Sequence, residues 1–305
     1  MAKVTTWNGS SGDWSASGNW TNGVPVSTDD VYFENNAQSV TSGFPSGTVN
    51  LASLNIDQSY TGSLSTAATG PLSLGITALN IGYHNGPGTP AGSPSIYLNL
   101  GSAVACTITV SNTGTSADAS RAPVRLYGSN AGNIMTVIKG KVEFGTNVTD
   151  TTSALDKLTV LYDTKVNTDA DVFIGSGVHL DELDMHGGDV FIEMKDTEPL
   201  DLATVRAGVL TTSGRGDITL LNVHGGTVYC SHNDPSDEGT SSVVTLNVYG
   251  GSGTVDFTKS SVTREVDVLN LDPGGTIKYN KSVITVHTTQ INPYTSGINV
   301  TYTAS

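Results

Sequence analysis

Leu221-Asn-Val-His-Gly-Gly-Thr-Val-Tyr-Cys230 is the stretch of sequence that determines the fold of this chain. Apolar and polar residues alternate on either side of a Gly-Gly corner, which predicts two short strands joined by a tight turn. Variants of this unit recur at Leu183-Asp-Met-His-Gly-Gly-Asp-Val190, at Leu246-Asn-Val-Tyr-Gly-Gly-Ser-Gly-Thr-Val255 and at Leu269-Asn-Leu-Asp-Pro-Gly-Gly-Thr-Ile277. Because internal repeats are typical of stacked architectures, we expect each copy to be one coil of a β-solenoid.

The repeated leucines stand 19 to 25 positions apart where the unit is clearest. They are Leu54, Leu79, Leu98, Leu158, Leu183, Leu202, Leu221, Leu246 and Leu269. Leu202 lies midway between Leu183 and Leu221, in what we interpret as a degenerate copy with one extra residue. Residues 98–158 carry weaker signals, which fit about three coils with candidate strands at Leu126-Tyr-Gly128 and Val142-Glu-Phe144.

A coil of this size cannot bury its own interior, so it must stack on the next coil. Alternate Leu and Val residues would point inward, and parallel strands about 4.8 Å apart would build a rod roughly 50 Å long. We therefore predict an all-β fold: a single-stranded parallel β-helix of about ten coils of 19–25 residues, right-handed by the general preference of parallel crossovers. The recurrent Asn of Leu-Asn-Val leaves two alternatives, an amide ladder if it points inward at a corner or a solvated residue if it points outward.

The composition excludes several classes of partner. Only 14% of the residues are charged, Gly contributes 35 residues, and the net charge is −14, from 14 Lys+Arg against 28 Asp+Glu. Nucleic-acid grooves need clustered Lys and Arg, and anionic lipid repels an acidic surface, so we expect neither a nucleic-acid nor a membrane partner. Cys106 and Cys230 alternate with inward apolar residues, which predicts two buried thiols and no disulfide.

All three tryptophans, Trp7, Trp14 and Trp20, lie close to the N-terminus. Three indoles within so short a segment can form a compact apolar cluster. One interpretation is a cap that covers the open end of the solenoid, and the alternative is a partner-docking or carbohydrate-stacking patch. We predict a Trp-rich cap or attachment segment over 1–50, the solenoid over 51–291 and a C-terminal closing segment over 292–305, where Ile298-Asn-Val-Thr-Tyr302 alternates again.

Polar residues within the repeat suggest chemistry only weakly. His186 and His224 occupy the same slot two coils apart, with Arg206 between them, so the roughly 9.5 Å separation is too long for a shared metal ion. Leu183 points inward in this pattern, so Glu182 and Asp184 would belong to a solvated acidic face. We expect no catalytic residue, no cofactor and no metal site.

Many parallel β-helices cleave polysaccharides, and that alternative has a sequence test. Asn167-Thr168-Asp169 matches the first motif of the pectin hydrolases, but their Asp-Asp, Gly-His-Gly and Arg-Ile-Lys motifs do not follow. Gly/Pro-rich or polar loops are predicted at His84–Pro94, Ser111–Ser120, Asn147–Ala154 and Ser231–Ser242. Insertions of this kind often form the binding face of a solenoid.

The opening of the chain resembles that of a known family. Thr6-Trp7-Asn8-Gly9, Gly12-Asp13-Trp14, Asn19-Trp20, Gly23-Val24-Pro25 and Asp29-Asp30 are similar to the start of the autotransporter-associated β-strand repeat proteins, and also to phage virion proteins with similar solenoids. Met1-Ala-Lys-Val-Thr-Thr-Trp7 has no apolar segment or cleavage site of a secretory signal. The resemblance therefore favours the phage proteins over the bacterial surface adhesins.

The resemblance implies a non-enzymatic structural protein of a phage virion. It implies a capsid decoration or cement protein, synthesised in the host cytoplasm and located on the capsid surface, that binds the major capsid protein as a homotrimer. The alternatives are a tail-associated receptor-binding protein or adhesin that recognises host glycans and a polysaccharide-cleaving β-helix enzyme.

Overall fold

A computed structural model describes most of the chain. The described residues are 2–46, 49–65, 70–82, 96–111, 113, 124–145, 152–161, 171–194, 199–214, 216–230, 242–258, 260, 264–279, 284–291 and 299–302. Of the predicted loops, His84–Pro94 and most of the other three lie outside these residues, as does Asn167-Thr168-Asp169. Within the described part no helix is long and apolar enough to cross a membrane.

The regular secondary structure of the described chain is almost entirely strand, with a single 3-10 turn at Ser17–Asn19. The strands are β1 (Val4–Trp7), β2 (Asp30–Phe33), β3 (Asn50–Ile56), β4 (Leu72–Ser73), β5 (Gly75–Ile81), β6 (Ile96–Asn99), β7 (Thr107–Val110), β8 (Val124–Tyr127), β9 (Ile134–Val137), β10 (Val142–Phe144), β11 (Ala154–Val160), β12 (Asp171–Ile174), β13 (His179–Met185), β14 (Asp189–Met194), β15 (Leu200–Val205), β16 (Val209–Gly214), β17 (Ile218–Val223), β18 (Thr227–Cys230), β19 (Ser242–Val248), β20 (Thr254–Asp256), β21 (Arg264–Leu271), β22 (Thr276–Tyr279), β23 (Ile284–Ile291) and β24 (Asn299–Tyr302).

These strands form two parallel sheets. The first sheet has thirteen described strands in the order β1-β2-β3, followed by every odd-numbered strand to β23. The second sheet has eleven described strands and contains every even-numbered strand from β4 to β24 in sequence order. From β3 onwards each coil therefore contributes one strand to each sheet, and the predicted all-β parallel solenoid is confirmed.

The repeated apolar residues stack in register and fill the space between the sheets. Leu221 pairs with Leu246, and Leu246 pairs with Leu269, while all three side chains are buried. The second half of the unit behaves in the same way, since Val228 pairs with Val255 in the second sheet. One continuous apolar core results, because each coil buries its interior only against its neighbours.

Two predicted repeat positions were wrong. Leu98 lies in β6 of the second sheet, and the partner of Leu79 in the first sheet is Ile108, because the chain inserts a longer connection there. Leu202 faces outward and is half-buried, whereas Ala203 occupies the inward slot between Leu183 and Leu221. The extra residue recognised in this copy thus shifts the inward position by one.

The Gly-Gly corners stack as closely as the strands. Gly226 has a φ of +74°, and a β-carbon there would lie 2.5 Å from the carbonyl oxygen of Gly208 in the preceding coil. Only glycine combines a left-handed backbone with this approach at low cost. The corner glycines therefore allow the corners to stack at the spacing that the hydrogen-bonded strands impose.

Strand pairing begins within the first few residues. β1 and β2 pair in parallel, and β2 pairs with β3, so residues of the predicted cap share the first sheet with the coils. At the other end, β24 pairs with β22, so the alternating residues around position 300 form a strand of the second sheet. The division of the chain at residues 50 and 291 stays a prediction.

Candidate functional site

The three tryptophans predicted as a cap or docking patch are buried together. The exposed fractions of Trp7, Trp14 and Trp20 are 1%, 1% and 4%. The Trp20 ring meets the other two edge to face, at centroid distances of 5.0 Å to Trp7 and 4.7 Å to Trp14, and Phe33 completes the cluster. Rings without accessible faces cannot stack on a sugar, so this geometry favours the cap over the exposed patch.

The segment that carries these tryptophans also covers the free edge of β1. Trp20 forms an antiparallel bridge with Trp7, and the Thr21 amide donates a 3.0 Å hydrogen bond to the Thr6 carbonyl. The Asn22 side-chain amide donates to the Val4 carbonyl at 2.7 Å. An uncovered edge strand is a template for pairing with another chain, so these bonds explain why the chain folds back here.

The outer face of the first sheet carries one uninterrupted column of polar residues, called here the outer polar column. Each residue of the column pairs in register with the next one along the sheet. All of them are half-buried except Asn80, which is exposed. They are Thr6, Tyr32, Asn55, Asn80, Thr109, Thr136, Thr159, Asp184, Thr204, Asn222, Asn247 and Asn270.

The asparagines of this column combine the two alternatives that the sequence left open, an inward amide ladder and an outward solvated residue. They point outward, yet they form an amide ladder in which Asn247 donates to Asn222 at 2.8 Å and Asn270 donates to Asn247 at 2.7 Å. The same bond joins Asn80 to Asn55 at 2.8 Å. In-register parallel stacking places identical amides within reach of each other on either face of a sheet.

The acidic residues around Asp184 are paired with cations or histidines. Lys157 Nζ lies 2.6 Å from Glu182 Oε1, and Arg206 Nε lies 3.3 Å from Asp184 Oδ1. His186 Nε2 lies 3.2 Å from the other oxygen of Asp184. Glu182 and Asp184 both point outward as predicted, and their pairing gives a neutralised surface rather than a bare acidic one.

The predicted histidine slot is present, but its members do not converge. The backbone amides of His186, Arg206 and His224 each donate to the coil before, so the three residues occupy consecutive coils as expected. The His224 ring stacks on Tyr249 with centroids 4.1 Å apart and an interplanar angle of 1°. Among the described residues no group of three His, Cys, Asp or Glu side chains could hold a metal ion.

A pocket of about 350 Å³ lies on the outer side of the second sheet, where β6 and β8 end. Tyr97 and Tyr127 form its aromatic wall, with ring centroids 5.7 Å apart in an edge-to-face arrangement. Asn99, Ser129 and Ser153 contribute polar groups to the lining. The Tyr127 hydroxyl is buried and lies beside the Tyr97 side chain, with which it interacts. Burial, followed by the neighbouring Tyr97 hydroxyl, raises the pKa of Tyr127 well above its ordinary value.

An ion pair supports this wall from the adjacent coils. Arg125 follows Tyr97 in the register of the second sheet, and Glu143 follows Arg125. The Arg125 guanidinium lies 5.8 Å from the Tyr97 ring centroid, and its Nη2 lies 2.5 Å from Glu143 Oε2. Because both side chains are largely buried, the pair fixes the orientation of the tyrosine ring.

The two cysteines are free and buried, as predicted. Burial raises the pKa of the Cys106 thiol to about 12 and that of the Cys230 thiol to about 11. A thiol with so high a pKa is a poor nucleophile near neutral pH.

Sequence reasoning missed the pocket because its aromatic residues lie in different coils and form no motif. The available signal was an outward tyrosine directly before the glycine of a predicted strand end, at Tyr127-Gly128.

No protein-family model, curated protein or solved structure matches this chain. The outer faces and the N-terminal resemblance are therefore the features that bear on function.

Proposed function

We propose that this protein is a non-enzymatic structural protein of a phage virion, a capsid decoration protein that binds the major capsid protein as a homotrimer. The resemblance of the N-terminal segment supports the virion assignment, and the structure supports a role in extended surface contact. The observation that carries the proposal is the outer polar column, which presents a regular lateral surface along twelve of the thirteen described strands of the first sheet.

The dimensions of that surface suit a stable protein interface. Thirteen strands about 4.8 Å apart, with four to eight residues each at about 3.3 Å per residue, give a face roughly 58 Å long and on average about 20 Å wide, or about 1,200 Å². Stable interfaces bury about 800 Å² on each partner. A single lateral face thus offers sufficient area for capsid binding, and the ladder hydrogen bonds hold its side chains in place before docking.

The test is cosedimentation of the purified protein with capsids that lack it, together with sedimentation equilibrium of the free protein. We expect saturable binding and the mass of a trimer. Failure to bind capsids combined with binding to host cells would overturn the proposal in favour of a receptor-binding protein. Turnover of a polysaccharide would instead identify an enzyme.

A pair of variants tests whether the first sheet is the docking face. Thr136→Lys places a long cation in the outer polar column, whereas Thr211→Lys makes the same change on the outer face of the second sheet. We expect the first variant to weaken capsid binding by at least tenfold and the second to leave it unchanged. Equal effects would show that the first sheet does not dock.

A further inference from the structure

We infer that a patch on the outer face of the second sheet docks an arginine-bearing segment of a partner protein. The patch consists of Phe173, Phe191, Asp189 and Glu193, and it is called here the aromatic–acidic patch. It lies on the other sheet from the outer polar column, so this docking goes beyond capsid binding and does not depend on it. The supporting features are the exposure of the rings, the charges beside them and an equivalent contact within the chain.

The two phenylalanine rings lie next to each other outside the core. Phe173 pairs with Phe191 in register, and the ring centroids are 6.3 Å apart at an interplanar angle of 40°. Phe173 is 36% exposed and Phe191 is half-buried, whereas every other aromatic side chain whose exposure the structure describes is half-buried or fully buried. Packing of the core therefore does not account for this outward pair, and its accessible ring surface is available to a ligand.

Carboxylates lie on both sides of Phe191 along its strand. Asp189, Phe191 and Glu193 alternate with buried residues in β14, so the three side chains point to the same face, and both acidic residues are exposed. The rise of a strand places each acidic residue about 7 Å from Phe191. Self-association through this patch would bring like charges together, on a chain whose net charge is already −14. The acidic rim therefore favours a cationic partner over a second copy of the protein.

The same outward column of the second sheet contains this kind of contact within the chain itself. Tyr97, Arg125 and Glu143 follow one another in register. The Arg125 guanidinium lies 5.8 Å from the Tyr97 ring centroid and 2.5 Å from Glu143 Oε2, between an aromatic ring and a carboxylate. The column continues with the two phenylalanines of the patch, and its next cation is Lys278 in β22. Rings and carboxylates thus recur at the patch without an arginine from this column.

An arginine from a partner would reproduce the internal arrangement. A planar guanidinium can stack on a phenylalanine ring and still direct N–H groups at a carboxylate, which the compact ammonium group of lysine does less well. The patch spans only β12 and β14, so it suits a short extended segment rather than a folded domain. A contact of this size belongs to the weak, transient class of protein interfaces.

The experiment uses the whole protein and a capped peptide in which two arginines alternate with serines. Binding is measured at low ionic strength by calorimetry and by the chemical shifts of the backbone amides. We expect saturable binding, with the largest shifts at the amides of β12 and β14. A peptide with lysines in place of the arginines should bind about 2- to 5-fold more weakly, the range of one exposed cation–π contact.

Variants assign the binding to the patch. Phe173→Leu keeps an apolar side chain and removes the ring, so it should weaken binding of the arginine peptide by about 2- to 5-fold. Glu193→Gln removes one carboxylate of the rim and should have an effect of similar size. The matched control is Val244→Ala, because Val244 lies in β19 of the first sheet and is also 36% exposed. This variant should bind the peptide as the wild type does.

The inference is overturned if the arginine peptide does not bind saturably, or if either Phe173→Leu or Glu193→Gln binds it as tightly as the wild type. An equal loss in Val244→Ala would also overturn it, since the binding would then not be local to the patch. Spermidine that binds at β12 and β14 as tightly as the peptide would indicate a polyamine site instead.

The remaining occupant is a second copy of the protein. A fall in mass on sedimentation equilibrium of Phe173→Leu, without peptide binding to the wild type, would show that the patch joins two copies and would overturn the inference. Capsid cosedimentation of Phe173→Leu should be unchanged, because the proposed capsid contact lies on the first sheet. Failure of the arginine site is therefore distinguishable from failure of the proposed virion role.

Discussion

The side-chain amide of Asn247 donates a 2.8 Å hydrogen bond to the side-chain oxygen of Asn222 in the preceding coil, on the outside of the first sheet. Asn247→Asp replaces this donor with a carboxylate oxygen and so places two acceptors against each other. We expect the free energy of unfolding to fall by about 1–2 kcal/mol, measured by denaturant titration. Asn80→Asp removes the equivalent donor at an exposed position, where water compensates, and should cost less. Equal losses in both variants would contradict a role for the buried part of the ladder.

The stacked glycine corners give a second prediction. Gly226→Ala should lower the free energy of unfolding by more than about 2 kcal/mol, because the residue has a positive φ and its new methyl would meet the Gly208 carbonyl. Gly18→Ala is the matched control, since a β-carbon there meets nothing within 4 Å. Thermal unfolding of the two variants measures the difference, and similar melting temperatures would show that the corner can relax.

The Arg125–Glu143 pair gives a third prediction. Arg125→Met removes the cation that lies 2.5 Å from the largely buried Glu143 carboxylate, and we expect a loss of about 3 kcal/mol. The double variant Arg125→Met/Glu143→Met should recover most of that stability, because the carboxylate that lost this cation is removed as well. A double-mutant cycle measured by chemical unfolding gives the coupling energy, and a value near zero would mean that the pair does not act as a unit.

The buried thiols predict a specific response to alkaline pH. The Cys230 thiol ionises near its ordinary pKa of 9.0 in the unfolded chain but only at about 11 in the folded protein. Its contribution to stability is therefore complete below pH 9 and is lost progressively as the pH rises towards 11. The difference in unfolding free energy between the wild type and Cys230→Ala should be constant below pH 9 and narrow above it. A difference that does not change up to pH 11 would contradict the raised pKa.

The repeat from Leu221 to Cys230 was sufficient to predict the parallel coils, because each coil repeats the same inward alternation and the same corner. The errors lie where the spacing of the leucines in the sequence differs from the pairing of the strands in the structure. Leu98 matches the tripeptide pattern but belongs to the second sheet. A coil has two similar strands, and the spacing of the leucines does not show which of the two strands a given leucine occupies. Ala203 occupies the inward slot that leucine fills in the neighbouring coils, whereas Leu202 pairs with the outward residues Glu182 and Leu220, so the leucine alone indicated the wrong position.

The functional surfaces were harder to predict than the core. The burial of Trp14 and the other two tryptophans follows from their closeness in the sequence. The choice between a cap and a docking patch depends on whether the rings fold over the open end of the solenoid, which the sequence does not show. The pocket depends on Tyr97 and Tyr127, which are brought together by strand register across two coils. No short motif encodes such a pair, because stacking, not sequence proximity, creates it.

Because Thr21 and Asn22 cover the outer edge of the first strand, we expect the solenoid to grow in one direction as it is synthesised. The N-terminal edge is closed by residues that leave the ribosome together with β1, so the opposite edge alone remains available to each new strand during translation. Every later coil can dock on a surface that is already complete, without waiting for the C-terminus. The Trp-rich segment is thus a starting template for vectorial assembly, and its deletion should be more harmful to cotranslational folding than loss of a terminal coil at the other end.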